Sequence, residues 1–176
     1  MKVNNVTEAV AYIITQIVGK KTNLCDIGDT PSRVAKMYKE IFSGYTDKFP
    51  AIKLFTLPYA NNGNVVVNDI PFFSMCEHHM MPFFGTVQIG YIPHGTIIGL
   101  SKIPRTVDFF SRRLQTQERL GMEIAYFLSN GIPQCQGVAV KIKATHLCCN
   151  MRGVRSIGAN TTTRYNIDDG HVITFD

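Results

Sequence analysis

Two short segments of the chain contain the residue types that bind metal ions. In the first, Cys76 and His79 are three residues apart, so one tight turn or helical turn can direct both side chains at a single ion. In the second, His146 and Cys148 are two residues apart, and if residues 138–148 form a strand both side chains lie on one face. If the fold joins the segments, Cys76, His79 and Cys148 form a thiolate and imidazole set, which suits zinc.

Such a set has a specific chemical consequence. Three protein ligands leave the fourth position of a tetrahedral zinc ion open for water, as in hydrolytic zinc enzymes. His78 and His146 would then stand beside that position as spare acid–base groups. From the residues alone, two other interpretations stay open: no metal at all, or a structural zinc ion closed by a fourth ligand. Cys149 is the obvious fourth ligand, but on a strand it would point away from the face of Cys148.

The elements that must position these residues are predicted from hydrophobic periodicity. Thr30 is predicted as the N-cap of a helix with Pro31 at its first position, and Thr116 as the N-cap of another. The predicted helices are residues 6–19, residues 30 to about 43, residues 101–113, and the helix that follows Thr116. The predicted strands are 65–67, 72–74, 85–92, 96–100 and 137–144, with one or two more in 161–175.

This order of elements indicates an α+β fold: two N-terminal helices, a mainly antiparallel sheet, and two helices inserted between strands. The length of 176 residues and the hydrophobic content of 45% suit one domain over residues 1–176. Within it we expect a helical part at about 6–44 and a catalytic part at about 65–176.

Charge and cysteine content limit the function classes. The formal net charge is +5 with dispersed basic residues, which fits either an ordinary basic surface or a pocket for an anionic ligand. The sequence lacks an aromatic-rich basic stripe, so nucleic acid is not an expected partner. The five cysteines are irregularly spaced, no signal peptide is evident, and no apolar run approaches the roughly 18 residues of a membrane span. We therefore expect a cytoplasmic protein with reduced thiols and no membrane association.

A series of motifs, in order and over about residues 6–165, resembles the GTP cyclohydrolase I family. The most specific is Cys76-Glu77-His78-His79, and Thr145-His146 belongs to the same series. The remaining matching segments are residues 30–38, 82–85, 89–93, 99–102, 111–115, 117–120 and 152–154. After Thr163 the sequence departs from the ending that is usual in that family.

The resemblance implies a tunnelling-fold subunit that assembles into a homodecamer with active sites at subunit boundaries. It implies a hydrolase that converts GTP and water to formate and 7,8-dihydroneopterin triphosphate, the first step of pterin and tetrahydrofolate-type biosynthesis. One Zn²⁺ ion per subunit is implied as cofactor.

The resemblance also implies roles for single residues. The implied zinc ligands are Cys76, His79 and Cys148, and the implied catalytic residues are His78 and His146. Glu118, with Gln117 in support, is expected to accept the paired N–H donors of guanine. The expected triphosphate contacts are Ser101, Lys102, Arg105 and Arg152, with Lys36 as a further candidate.

Two alternative functions are less consistent with these residues. Other tunnelling-fold enzymes, such as the nitrile reductase of queuosine synthesis or a pyruvoyl-tetrahydropterin synthase, use a nucleophilic cysteine without this zinc set or a mainly histidine-bound zinc ion. The Cys76–His79 run argues against both. A catalytically silent purine- or pterin-binding subunit is disfavoured because His78, His146 and Glu118 are all present.

Overall fold

The computed structural model describes residues 3–19, 27–49, 51–57, 63–168 and 173–175. The chain divides into two units, Met1–Ser43 and Gly44–Asp176. Cys25 and His171 lie outside the described residues. No helix among the described residues is long and apolar enough to cross a membrane.

The first unit consists of two helices, α1 (Val6–Val18) and α2 (Thr30–Ile41), which pack on each other. Asn5 caps α1, because its side-chain oxygen accepts a hydrogen bond from the Glu8 backbone N–H. The prediction of Thr30 as the N-cap of α2 is wrong by one residue. Asp29 occupies the cap position without a side-chain cap bond, and Thr30 and Pro31 already belong to the first turn.

The described residues of the second unit form seven strands and three α-helices. In chain order they are β1 (Leu54–Thr56), β2 (Val65–Cys76), β3 (Met81–Ile92), β4 (Thr96–Ile98), α3 (Lys102–Ser111), β5 (Leu114–Gln115), α4 (Gln117–Gly131), β6 (Gly137–His146), α5 (Leu147–Asn150) and β7 (Thr161–Asp168). The main sheet has the order β5-β2-β3-β6-β7, and β1 pairs with β4 separately. Only the short β5–β2 pair of the main sheet is parallel. The predicted α+β class with a mainly antiparallel sheet is confirmed.

The core of this unit forms where α3 and α4 pack on the sheet. Fully buried side chains from the helices, such as Val107 and Leu120, join buried residues of the strands, such as Phe83 and Ile142. Thr116 caps α4 as predicted, accepting a hydrogen bond from the Arg119 backbone N–H. This cap fixes where α4 begins relative to the sheet.

Several strand boundaries differ from the predictions, and β4 ends at Ile98, two residues before the predicted end. The two predicted strands at 65–67 and 72–74 are one strand, β2, with an irregularity between Val67 and Ile70. Strand β3 begins at Met81, earlier than predicted, and includes Pro82. A proline near a strand end is tolerated because it removes few hydrogen bonds of the ladder. Strand β6 ends at His146, so the assumption of a strand through residue 148 is wrong.

Candidate active site

The connection between β2 and β3 forms a tight turn. Strand β2 ends at Cys76 and β3 begins at Met81, with residues 77–80 between them. The backbone N–H groups of His79 and Met80 both donate to the Cys76 carbonyl, at 3.3 and 2.8 Å. Met80 completes the reversal with a φ of 50°, an uncommon conformation for a residue other than glycine. The turn brings the side chain of His79 back towards Cys76, with Nδ1 3.7 Å from Sγ.

The register of the sheet brings the second segment to the same turn. Strand β6 runs antiparallel to β3, and His146 pairs with Phe83 near the start of β3. The residues just after β6 therefore lie beside the residues just before β3. Cys148 enters from the first turn of α5, and not from a strand face as the sequence suggested. The helical turn replaces the strand geometry but delivers the thiol to the same place.

Cys76, His79 and Cys148 form a group that could hold a metal ion. Their ligand atoms all lie within 4.8 Å of one another. Both cysteines are buried, whereas His79 is exposed, so the group sits at the edge of the core with one side towards solvent. Burial raises the pKa of the Cys148 thiol to about 11, and neighbouring Cys76 contributes in the same direction. A bound cation would oppose this rise, because metal coordination favours the thiolate.

Cys149 is placed differently from the other two thiols. It is exposed, and its Sγ is 4.0 Å from that of Cys148. It does not belong to the group whose ligand atoms converge. The argument that a strand would turn it away from Cys148 fails with the strand itself, since both residues lie in α5.

His78 lies on the exposed side of the turn. Its Nδ1 is 3.9 Å from Cys76 Sγ, and its Nε2 is 3.9 Å from a carboxylate oxygen of Glu77. Its side chain is 65% exposed, which leaves it open to a ligand from solvent. His78 is therefore close to the group that could hold a metal ion, but its ring nitrogens do not belong to that group.

His146, the last residue of β6, is held on two sides. Its ring stacks on Phe83 with centroids 4.7 Å apart and planes 3° from parallel. Its Nε2 lies 2.8 Å from Oε1 of Gln117. Burial lowers the pKa of His146 below its ordinary value, while the charge of Glu118 acts in the opposite direction. These two contacts hold the His146 ring in one orientation.

A cleft of about 210 Å³ opens beside this histidine. Glu118, in the first turn of α4, is exposed and lines the cleft together with His146. Gln117 also lines it, but its side chain is buried and engaged in four hydrogen bonds. The remaining lining residues are Cys149, Asn150, Ala159 and Thr161. The cleft therefore combines a free carboxylate with a fixed imidazole.

The predicted triphosphate contacts lie elsewhere in the chain. Ser101, Lys102 and Arg105 are at the beginning of α3, and Arg152 is exposed after α5. Among the described residues that line the cleft, none of these four appears. Lys36 is an exposed residue of α2, in the first unit.

A hydrogen-bond network supports the turn from behind, and sequence reasoning did not find it. The Arg119 guanidinium contacts the Glu77 carboxylate, the Leu114 carbonyl and Oε1 of Gln115. Arg119 belongs to α4, so this network ties the turn after Cys76 to the helix that carries Glu118. Arg119 and Glu77 are 42 residues apart, so no local sequence pattern shows that they pair.

Comparison with known proteins gives a consistent result. The family model of GTP cyclohydrolase I matches residues 6–169. GTP cyclohydrolase 1 of Finegoldia magna is 44% identical over 163 residues, covering 93% of this chain and 88% of that protein. GTP cyclohydrolase 1 of Campylobacter jejuni (strain 81116) is 45% identical over 151 residues, covering 85% and 79%.

Two further matches are more partial. The bifunctional protein FolKE of Lactococcus lactis (strain MG1363) is 46% identical over 165 residues, which is 92% of this chain but 47% of that protein. A crystal structure of the archaeosine synthase QueF-Like in the apo form superposes with a TM-score of 0.48 at 18% identity, covering 62% of this chain and 96% of that one. The structural match is too distant to support an argument about function.

Proposed function

The chain belongs to the GTP cyclohydrolase I family, and we propose that it carries out the reaction of that family. The reaction converts GTP and water to formate and 7,8-dihydroneopterin triphosphate, the first step of pterin and tetrahydrofolate-type biosynthesis. The observation that carries the proposal is the junction of β2, β3 and β6, where a metal-binding group, two further histidines and the Glu118 cleft lie together.

We propose zinc as the ion that Cys76, His79 and Cys148 hold. Two thiols and one imidazole form a soft donor set that suits zinc. With ligand bonds of about 2.0–2.3 Å, neighbouring ligands of a tetrahedral zinc ion are about 3.5–3.8 Å apart. The 3.7 Å between Cys76 Sγ and His79 Nδ1 already has this value. When bound, the ion would supply Lewis acidity and an activated water at neutral pH.

The two remaining histidines are proposed as the proton-transfer groups. Opening the imidazole ring of guanine requires proton delivery to a ring nitrogen, and later steps require protons at the ribose. His146 is held rigidly beside the cleft, which favours it for ring opening. His78 is exposed next to Cys76, which favours a role in later steps.

Glu118 is proposed to recognise guanine. Its carboxylate can accept two parallel hydrogen bonds from the N1–H and the 2-amino group of the base. The residue is exposed in the cleft, and His146 lies on the same lining. The acceptor for the base and the proton donor for its ring would thus act on one bound purine.

The triphosphate is proposed to be bound by Ser101, Lys102, Arg105 and Arg152, with Lys36 as a further contact. Ser101, Lys102, Arg105 and Arg152 are not among the described residues that line the cleft. A homodecamer with active sites at subunit boundaries is proposed from the family alone. The oligomer would bring one subunit's cations to another subunit's cleft.

The cellular location is proposed to be cytoplasmic. Two of the three proposed zinc ligands are cysteines, and such ligands must remain reduced to bind the ion. Cys76, Cys148 and Cys149 are free thiols.

Product analysis tests the proposed function. Purified, zinc-replete protein is incubated with GTP, and the products are followed by mass spectrometry together with a formate assay. We expect 7,8-dihydroneopterin triphosphate and one formate for each GTP consumed. A ring-opened, formylated product without formate would indicate a hydrolase that stops after the first step. Bound GTP without turnover would favour a silent binding subunit.

A further inference from the structure

We propose that Gln117 is a positioning residue that keeps the proton of neutral His146 on Nε2 and leaves Nδ1 as the nitrogen available to the substrate. This inference rests on the proposed function, in which His146 is a proton-transfer group. It also gives Gln117 a different task from the support of guanine binding that the family resemblance suggested.

The orientation of the Gln117 amide is fixed by its surroundings. The residue is 2% exposed, and its Nε2 lies 3.1 Å from each of three oxygens, those of the Ile142 carbonyl, the Thr161 carbonyl and the Thr163 hydroxyl. Carbonyl oxygens only accept hydrogen bonds, so the NH₂ group must face them. The reversed amide would place its oxygen against two carbonyl oxygens, and it would leave the buried Ile142 carbonyl without this donor. An unpaired buried acceptor costs about 1–3 kcal/mol.

The orientation of the amide determines the tautomer of the histidine. With the NH₂ group committed to β6 and β7, Oε1 of Gln117 faces Nε2 of His146 at 2.8 Å. An amide oxygen cannot donate, so His146 must donate from Nε2. In a neutral imidazole the lone pair then lies on Nδ1. Within the described part of the chain, this Nδ1 has no hydrogen-bond partner.

The same contact persists through a proton transfer. When Nδ1 takes up a proton, the ring becomes an imidazolium whose Nε2–H still donates to Gln117. When Nδ1 releases the proton to the substrate, the ring returns to the starting tautomer. Stacking on Phe83 holds the ring plane throughout. Gln117 therefore holds the ring without competing for the nitrogen that reacts.

The first test observes the tautomer directly in the unmodified protein. The zinc-loaded protein is labelled with ¹⁵N at histidine, and its ring nitrogens are observed by NMR at a pH above the ordinary histidine pKa of about 6.5. The chain has five histidines, and the His146 signals are assigned by their loss in His146→Asn. We expect a protonated Nε2 and an unprotonated Nδ1. A neutral ring with its proton on Nδ1 would overturn the inference.

The second test separates positioning from substrate binding. Gln117→Met keeps the side-chain length but removes both the acceptor and the donors. We expect kcat to fall about 10–100-fold, the usual cost of losing a partner that orients a catalytic ligand, with KM for GTP changed by less than about threefold. A large rise in KM at unchanged kcat would assign Gln117 to guanine and contradict the inference.

A matched control and an independent readout complete the design. Gln88→Met makes the same change at an exposed amide of β3 that donates to Asn68, and should leave the His146 tautomer and the kinetics unchanged. If Gln117→Met does not fold, the His146 tautomer observed in the unmodified protein still tests the inference. Loss of formate production with the Nε2–H tautomer intact would reject the proposed function alone, whereas turnover with the Nδ1–H tautomer would reject this inference alone.

Discussion

At the scale of single residues, three side chains from two separate segments of the sequence assemble into one potential ligand group, and their sequence neighbours remain outside it. Cys148 and Cys149 are adjacent in sequence and only 4.0 Å apart at sulfur, yet Cys148 alone converges with Cys76 and His79. His78 and His79 are likewise adjacent, and only His79 belongs to the group. In each pair, a substitution of the residue outside the group is therefore a control for the same substitution of the residue inside it.

The two cysteines give the first prediction. Cys148→Ala should lose most of the bound zinc, because two ligands seldom retain an ion that three hold. Cys149→Ala should retain about one zinc ion per subunit. Elemental analysis of the two purified variants makes the comparison. Full zinc content in Cys148→Ala would refute the ligand assignment, and loss of zinc from Cys149→Ala would favour a closed, four-ligand site.

His146 gives the second prediction: its substitution should lower turnover without lowering the metal content. His146→Ala should keep its zinc, since the residue is not part of the convergent group. Its formate production should fall by at least about 10²-fold, the low end of general acid–base effects. His94→Ala, a change at a histidine outside the site, serves as the control and should retain turnover. Near-normal turnover in His146→Ala would contradict its proposed role.

At the scale of secondary-structure elements, the site depends on how closely β3 and β6 approach. Gly85 lies on β3 opposite Ala144, and a Cβ atom there would be 1.9 Å from the Lys143 carbonyl oxygen. That oxygen belongs to the backbone of β6 and cannot swing aside. The register that places His146 beside Phe83 runs through this same contact.

Gly85→Ala should therefore destabilise the protein, although alanine is otherwise favoured over glycine in a strand by roughly 0.5–1 kcal/mol. Overpacking against a neighbouring backbone costs about 1–3 kcal/mol, so the steric effect should win. Gly121→Ala is the control. Gly121 lies in α4, and a Cβ atom there would be 3.6 Å from the Ile142 side chain, an ordinary van der Waals distance. Urea denaturation should show a lower midpoint for Gly85→Ala and an unchanged or higher one for Gly121→Ala. Equal midpoints for the two variants would contradict the account of this contact.

The link between α4 and the metal-binding turn gives a prediction of its own. Arg119→Met removes the guanidinium that contacts Glu77, Leu114 and Gln115, and should loosen the turn that holds His79. We expect zinc affinity to fall by about tenfold or more, as for other residues that support metal ligands. Competition with a chelating dye measures it. Arg112→Met, at an arginine that pairs with Asp108 along α3, should change the affinity little. Equal zinc affinities in the two variants would show that Arg119 does not support the zinc ligands.

How far the sequence anticipates these elements depends on the range of the interactions. The Thr116 cap and the turn after Cys76 follow from residues within four positions of each other, and both were predictable. The end of β6 was not, because nothing local distinguishes Leu147 as the start of a helical turn. The contacts of Gln117 were also hidden, since they join α4 to β7 over 44 and 46 residues and depend on sheet register.

At the scale of the whole molecule, the family match and the site geometry concern very different shares of the chain. The family match spans residues 6–169, whereas the geometry concerns only the junction of β2, β3 and β6 with α4. The cations that a triphosphate requires lie outside the cleft among the described residues.

The most direct test follows the carbon that the reaction must release. [8-¹³C]GTP is supplied to zinc-replete protein, to protein stripped with a chelator, and to stripped protein given zinc again, and labelled formate is counted by NMR. The account predicts one labelled formate per GTP with zinc-replete protein, none after stripping, and recovery on zinc addition. No labelled formate from zinc-replete protein, or equal formate before and after stripping, would contradict a zinc-dependent GTP hydrolase.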